Sequence, residues 1–123
     1  MIEVRCFGSL EEAAFLRDEV DALNRAGTRP DPFSTFGFFQ NFLRYDERHP
    51  HGRGLRLWFL AAFDAGRLVG YVALKQKTHK VLGLRASKID FLVTHDADRP
   101  QLVTRPEHAH AVSEAIYSYL LER

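Results

Sequence analysis

The chain has 123 residues, of which 46% are hydrophobic and 27% charged, a composition typical of a folded globular protein and not of a disordered one. This length has room for one domain, which we expect to cover residues 1–123. The formal net charge of +1 gives no overall field to attract polyanions, so we predict neither nucleic acid nor a membrane as a partner.

The single cysteine, Cys6, cannot form an intramolecular disulfide, which fits a reducing compartment. Glu3 and Arg5 interrupt the first apolar run, so we predict no signal peptide. The longest apolar run, Leu57–Phe63, is too short to span a bilayer. We therefore expect a soluble, cytoplasmic protein.

The first part of the chain predicts a strand followed by a helix. Residues Ile2–Phe7 alternate weakly, and Ser9 with Glu12 has the spacing of a capping box that opens a helix. Gly27 is suited to end that helix, because glycine adopts the left-handed conformation at low cost. The predicted buried stripe of the helix consists of Ala13, Leu16, Val20 and Leu23.

A second helix is predicted from Ser34, with a hydrophobic staple between Phe33 and Phe38. Gly37 is a poor helix former, so it would mark close packing against the sheet. The predicted apolar face is Phe38, Phe39, Phe42 and Leu43. Its phenylalanines, with Phe36, fit either the core or a groove for an acyl group or acceptor, and their helical spacing favours the core.

Two apolar runs, Arg56–Phe63 and Leu68–Leu74, flank the turn sequence Asp64-Ala65-Gly66-Arg67 and predict a β-hairpin. Because both faces of the hairpin are apolar, we expect it in the middle of a sheet with helices on each side. The polar and basic residues Lys75–Arg85 predict a connection, and Lys88–Thr94 predicts a further strand.

Residues 96–105 predict a loop, followed by a last helix from near Thr104. Thr104 and Glu107 have capping-box spacing, and Pro106 suits the first helical turn. The predicted buried face is Val112, Ala115, Ile116, Tyr119 and Leu120. The element order β-α-α-β-β-β-α predicts an α+β fold with a mostly antiparallel sheet flanked by helices.

Three segments carry a family resemblance: the aromatic helix entry Phe33–Leu43, the hairpin Leu60–Leu74 with its Gly-Arg-Leu-Val-Gly string, and Gly83–Arg85 followed by the strand Ile89–Val93. Together, over about residues 34–121, they resemble the N-terminal half of a GNAT-superfamily acyltransferase of the tandem, CelD-like type. The resemblance implies a partial GNAT fold and a role in acyl transfer to an amine, with acetyl-CoA or another acyl-CoA as cofactor.

In that family a glycine-rich loop before the corresponding helix presents backbone N–H groups to the CoA diphosphate. Here residues 98–107 contain no glycine, Pro100 and Pro106 lack an N–H, and Glu107 adds negative charge. The resemblance therefore implies a half-domain with a degenerate CoA site, which supports a catalytic half and shapes its acceptor cleft. We assign no catalytic residue.

Since the chain ends at Arg123, before the strands that complete the family's sheet, the expected partner is a second GNAT half or a second copy bound at the open sheet edge. Two alternatives remain: a small free-standing N-acetyltransferase with an atypical CoA loop, and a non-catalytic protein-binding module. Acetyl-CoA binding would separate these two.

The basic cluster consists of Lys75, Lys77, Lys80, Arg85 and Lys88. It could hold a phosphate or a nucleic-acid backbone, but it lacks aromatic residues for base stacking, and a solvated surface is the favoured interpretation. If the chain binds CoA, we predict Lys80 and Arg85 as cofactor-binding residues for its 3′-phosphate, together with Val93 and Thr94 on the following strand.

The histidines include two closely spaced pairs, His49 with His51 and His108 with His110. Neither pair places its members on one face of a regular element, so we predict no metal site. His95 and Asp96 could form a base with its orienting acid, although a polar turn is favoured. Cys6 is not in a nucleophile motif and is expected to be a small core residue.

Overall fold

A computed structural model describes residues 2–26, 34–48, 56–91 and 102–122. The fold is α+β, with a four-strand antiparallel sheet and three helices in the order β-α-α-β-β-β-α, which confirms the predicted fold class. A two-residue strand, β5, precedes the last helix. The elements are β1 Ile2–Phe7, α1 Arg17–Ala26, α2 Phe36–Arg48, β2 Arg56–Asp64, β3 Arg67–Val81, β4 Leu84–Phe91, β5 Val103–Thr104 and α3 Ala109–Leu121.

The sheet has the strand order β1-β2-β3-β4, every neighbouring pair is antiparallel, and β5 pairs with β3. The predicted hairpin is confirmed as β2 and β3, in which Asp64 lies opposite Arg67. Its two turn residues, Ala65 at φ 51° and Gly66 at φ 79°, both have the left-handed conformation of a type I′ turn. This turn matches the natural twist of the two strands. One step further from it the register shifts, because Ala62 lies opposite Gly70 and Phe63 opposite Leu68, which leaves Val69 as the extra residue of a β-bulge in β3.

The central strands are buried on both faces, as predicted, because helices cover each side of the sheet. On one face Phe59 and Tyr71 pack with residues of α1 and α2. On the other face Leu60 packs with Val112 and Ile116 of α3. Cys6 packs half-buried against this second cluster, in agreement with the predicted core role.

The first helix begins later than its capping box suggests. The amide of Glu12 donates to Ser9 Oγ at 3.2 Å, and the amide of Gly8 donates to the Glu12 carboxylate at 3.3 Å. These bonds close a run of turns and a short 3₁₀ helix, Ala14–Leu16, before α1 starts at Arg17. The three-residue repeat of this run suits burial of the apolar side chains at Leu10, Ala13 and Leu16. The predicted stripe of Ala13, Leu16, Val20 and Leu23 is confirmed as buried.

The second helix begins at Phe36, two residues after the predicted start. Thr35 caps it, because its hydroxyl oxygen accepts the amide of Phe38 at 3.2 Å. Ser34 takes another role: its carbonyl accepts the hydroxyl of the buried Tyr71 at 2.6 Å. Gly27 and Phe33, the predicted helix end and staple residue, lie outside the described residues.

The close approach to the sheet is at Gly70, not at Gly37, so that prediction was wrong. A Cβ at Gly37 would meet no atom within 4 Å. A Cβ at Gly70 would lie 2.7 Å from Cγ1 of Val112 and 3.2 Å from the carbonyl of Val103. Glycine within β3 thus lets α3 and β5 pack directly against the strand.

The predicted connection over Lys75–Arg85 is also wrong. β3 continues through Val81, turns at Leu82 and Gly83, and returns as β4 from Leu84, before the predicted strand start at Lys88. Leu82 has φ 51° and Gly83 φ 80°, so a second turn with two left-handed residues makes this hairpin. Backbone pairing with β4 therefore decides the structure of a segment whose side chains show no apolar alternation.

Candidate functional site

Two strands follow one another along the same edge of β3, directly before α3. β4 pairs with β3 as far as Leu74, opposite Phe91, and β5 pairs with Tyr71 and Gly70. The described pairing with this edge thus runs to Phe91 in β4 and is found again at Val103 in β5. Residues 98–107, the segment predicted to be a degenerate CoA loop, are described from Leu102 onward and end just before α3, whereas residues 98–101, which include Pro100, lie outside the described residues.

The predicted capping box at the last helix does not form. The hydroxyl of Thr104 donates to the carbonyl of Val69 in β3 at 2.8 Å, and Thr104 itself belongs to β5. The chain then makes a 3₁₀ turn, Pro106–His108, before α3 begins at Ala109. Pro106 occupies the first turn, as predicted. Arg105 is the N-cap residue of the 3₁₀ turn, and its side chain makes no capping hydrogen bond.

The backbone donors at this helix start are largely occupied by the chain itself. Pro106 has no N–H, the amide of His108 donates to the carbonyl of Arg105 at 3.0 Å, and the amide of Ala109 donates to the carbonyl of Pro106. Glu107 is exposed in the first turn and adds a carboxylate there. A dense anion needs several amides that point toward it together, and this geometry does not offer that group of donors.

One side-chain atom at the same place has no described partner. The Nδ1 atom of His108 is buried without a hydrogen bond among the described residues. His110, two residues on, is exposed, and its Nε2 lies 3.1 Å from the Glu114 carboxylate one helical turn away. The two histidines therefore have different surroundings, and in the described ranges no group of three His, Cys, Asp or Glu residues comes together as a metal site.

Two of the four predicted cofactor residues, Lys80 and Arg85, lie in the described strands and far along β3 from the start of α3. Lys80 lies opposite Arg85 near the tip of the β3–β4 hairpin, whereas the helix start is anchored beside Gly70. Ten residues of extended chain separate Lys80 from Gly70, a span of about 30 Å at the rise of a β-strand. The other two predicted residues, Val93 and Thr94, lie outside the described residues, as do His49, His51, His95 and Asp96.

The aromatic residues of α2 fill the core, as their spacing favours. Phe36 and Phe39 are buried, while Phe38 and Phe42 are half-buried against the same cluster. Phe39 packs edge-on against Phe59 and Tyr71, with ring centroids 6.2 and 6.4 Å apart, and these two rings stack on each other at 5.8 Å. The sequence reasoning missed Tyr71, although a tyrosine within an apolar strand is a signal for a buried hydroxyl that needs an acceptor.

Comparison with known proteins gives no relative for this chain: no family model, no curated protein and no solved structure matches it. The helices in the described ranges include none that is both long enough and apolar enough to cross a membrane.

Proposed function

We propose that this chain is a GNAT-like domain that supports a CoA-binding acyltransferase partner and does not itself hold the CoA diphosphate. The resemblance of residues 34–121 and the element order β-α-α-β-β-β-α support the relation to acyltransferases. The start of α3 supports the second part of the proposal.

The proposal rests on the backbone N–H groups before α3, several of which are either missing or already hydrogen-bonded within the chain. Pro106 supplies no donor, and the amides of His108 and Ala109 already donate to carbonyls of the preceding turn. Thr104, whose hydroxyl could otherwise meet a phosphate oxygen, is bound to the carbonyl of Val69. A diphosphate would have to break these bonds and accept the nearby carboxylate of Glu107, both at a cost in free energy.

The supporting role would use the sheet edge and the α2 side of the domain. In the described ranges β4 pairs with β3 alone, so its outer edge can accept a strand of a second acyltransferase half or of a second copy. The aromatic packing of α2 on β2 and β3 fixes the helix to the sheet, and an acceptor cleft can be formed against this side of the domain.

Thermal unfolding with acetyl-CoA tests the proposal. A ligand of about 100 µM Kd added at about 5 mM would stabilise the fold by roughly 2 kcal/mol and raise the melting temperature by several degrees. We expect no increase, for the natural chain and equally for Pro106→Ala, which restores one amide at the helix start.

A saturable increase for the natural chain that becomes larger in Pro106→Ala would contradict the proposal. It would favour the alternative of a free-standing acetyltransferase, which a direct assay of acetyl transfer to small amines would then examine.

A further inference from the structure

The tip of the β3–β4 hairpin is unusual for an exposed turn. Leu82 is 98% exposed and has φ 51°, and Leu84 is 74% exposed. A leucine in the left-handed region is strained, and such turn positions favour Asn, Asp or Gly. None of these three residues would expose an apolar side chain to water. The tip thus exposes two leucines to water, and one of them, Leu82, has a backbone conformation that a polar turn residue adopts at lower cost.

Basic residues flank this tip in opposed pairs. The strand register sets Lys80 opposite Arg85 and Lys77 opposite Lys88, and no acidic residue lies between positions 76 and 89. Like charges directly across a strand pair destabilise it, so an anionic partner would relieve a cost built into the hairpin. Positions 77 and 80 have opposite parity along β3, so the two pairs belong to different faces of the hairpin.

The hairpin extends past the end of β2. Arg56, the first residue of β2, lies opposite Gln76, and in the described ranges β3 from Lys77 onward pairs with β4 alone. Residues 77–81 of an extended strand span about 16 Å. We call residues 77–88 the arm. Because a two-stranded hairpin is only marginally stable by itself, contact with a surface would increase the stability of the arm.

We propose that the arm docks end-on to an anionic lipid bilayer, with Leu82 and Leu84 inserted among the acyl chains. Lys80 and Arg85 directly flank the tip, residues 81–84, and lie opposite each other in the register, so their positions on the two strands fall at the depth of the headgroup phosphates when the tip is buried. The second basic pair stands farther from the bilayer and adds long-range attraction.

The charge distribution favours this orientation. The arm carries four basic residues and no acid, a formal +4, while the whole chain carries +1, so the residues outside the arm sum to −3. An anionic surface would therefore attract the arm and repel the remainder of the domain. The expectation of no membrane partner, which rested on the net charge of the whole chain, did not take this separation into account.

A bilayer fits the arm better than a nucleic acid does. The basic residues suit either polyanion, but the arm offers no Phe, Tyr or Trp for base stacking. Insertion into hydrocarbon removes the exposed leucines from water. Insertion of leucines into a nucleic acid would instead require the duplex to bend or its bases to unstack. The inference is independent of the proposed function, because its test contains no CoA.

Flotation of the full chain with vesicles tests the arm. Vesicles of phosphatidylcholine with about 30% phosphatidylserine should bind the chain, and vesicles of phosphatidylcholine alone should bind it at least tenfold more weakly. The Lys80→Gln, Arg85→Gln variant should lose about 25-fold in affinity, since each basic residue near such a surface contributes about fivefold.

The decisive variant is Leu82→Asn, which suits the left-handed turn and so preserves the fold, and which should lose at least about tenfold in affinity. Ala65→Asn, at φ 51° in the other hairpin, is the matched control and should bind as the natural chain does. Unchanged binding in Leu82→Asn, or no binding to the anionic vesicles, would overturn the proposal. Tighter binding to a duplex DNA or RNA oligonucleotide that displaces the vesicles would replace the bilayer with nucleic acid.

Discussion

The chain makes two hairpins whose turns have nearly the same backbone conformation and opposite surroundings. The first turn has φ 51° and 79° at Ala65 and Gly66, and the second has φ 51° and 80° at Leu82 and Gly83. The first joins strands buried on both faces of the sheet, whereas the second ends in exposed leucines. Turn geometry therefore does not decide what a hairpin does; the surfaces of its strands decide it.

The largest expected difference between the two hairpins is in stability. Phe59→Ala removes a ring that is fully buried in β2 and should lower the free energy of unfolding by about 3–5 kcal/mol. Leu84→Ala, at 74% exposure in β4, should change it by less than about 0.5 kcal/mol. Urea unfolding followed by circular dichroism measures both, and equal losses would show that the second hairpin is as well packed as the first.

The next effect is expected within β3, where the buried half of the strand approaches α3. Gly70→Ala forces a Cβ against the stiff side chain of Val112 and should destabilise the fold by about 1–3 kcal/mol. Gly37→Ala, in open space on α2, should instead stabilise it by up to about 1 kcal/mol. The opposite signs, measured by denaturant unfolding, test whether close packing resides in the sheet; two stabilising substitutions would refute it.

A smaller effect is expected at the hydroxyl that ties the sheet to the start of α2. Tyr71→Phe removes the donor of the 2.6 Å bond to the Ser34 carbonyl and should cost about 1–2 kcal/mol. The ring contacts with Phe59 remain, so the far-ultraviolet circular dichroism of the folded protein should be unchanged. A loss below the error of the measurement would mean that the bond contributes nothing to stability.

The smallest effect is expected at the two turns themselves. Ala65→Asn and Leu82→Asn should each stabilise the fold by about 0.5 kcal/mol, because asparagine tolerates a positive φ better than either residue. Similar gains in melting temperature would confirm that the turns are locally equivalent. A gain at only one turn would show that its φ depends on the rest of the hairpin.

The first hairpin could be predicted from the sequence because its apolar runs and its turn residues are local signals. The second could not, since Lys75–Val81 shows no apolar alternation and only its pairing with β4 makes it a strand. The same limit applies at the candidate site. Thr104 has capping spacing, but its hydroxyl binds Val69, which lies 35 positions away in the sequence.

The separation of Lys80 from the start of α3 was also beyond the sequence reasoning, because it depends on the length of β3. The absence of glycine from residues 98–107 can be read from the sequence. That the His108 and Ala109 amides donate within the turn is visible only in the structure. Local chemistry could thus be read from the residues, whereas the distances between groups could not.

The most direct test of the proposed function observes the helix start itself. Amide resonances of Glu107, His108 and Ala109 can be followed by nuclear magnetic resonance during titration with acetyl-CoA. Because the His108 and Ala109 amides are occupied and Glu107 carries a carboxylate at the same place, we predict that these three resonances stay in place up to about 5 mM ligand. Saturable shifts centred on them would show that a diphosphate binds there, and the domain would then have to be regarded as a CoA-binding one.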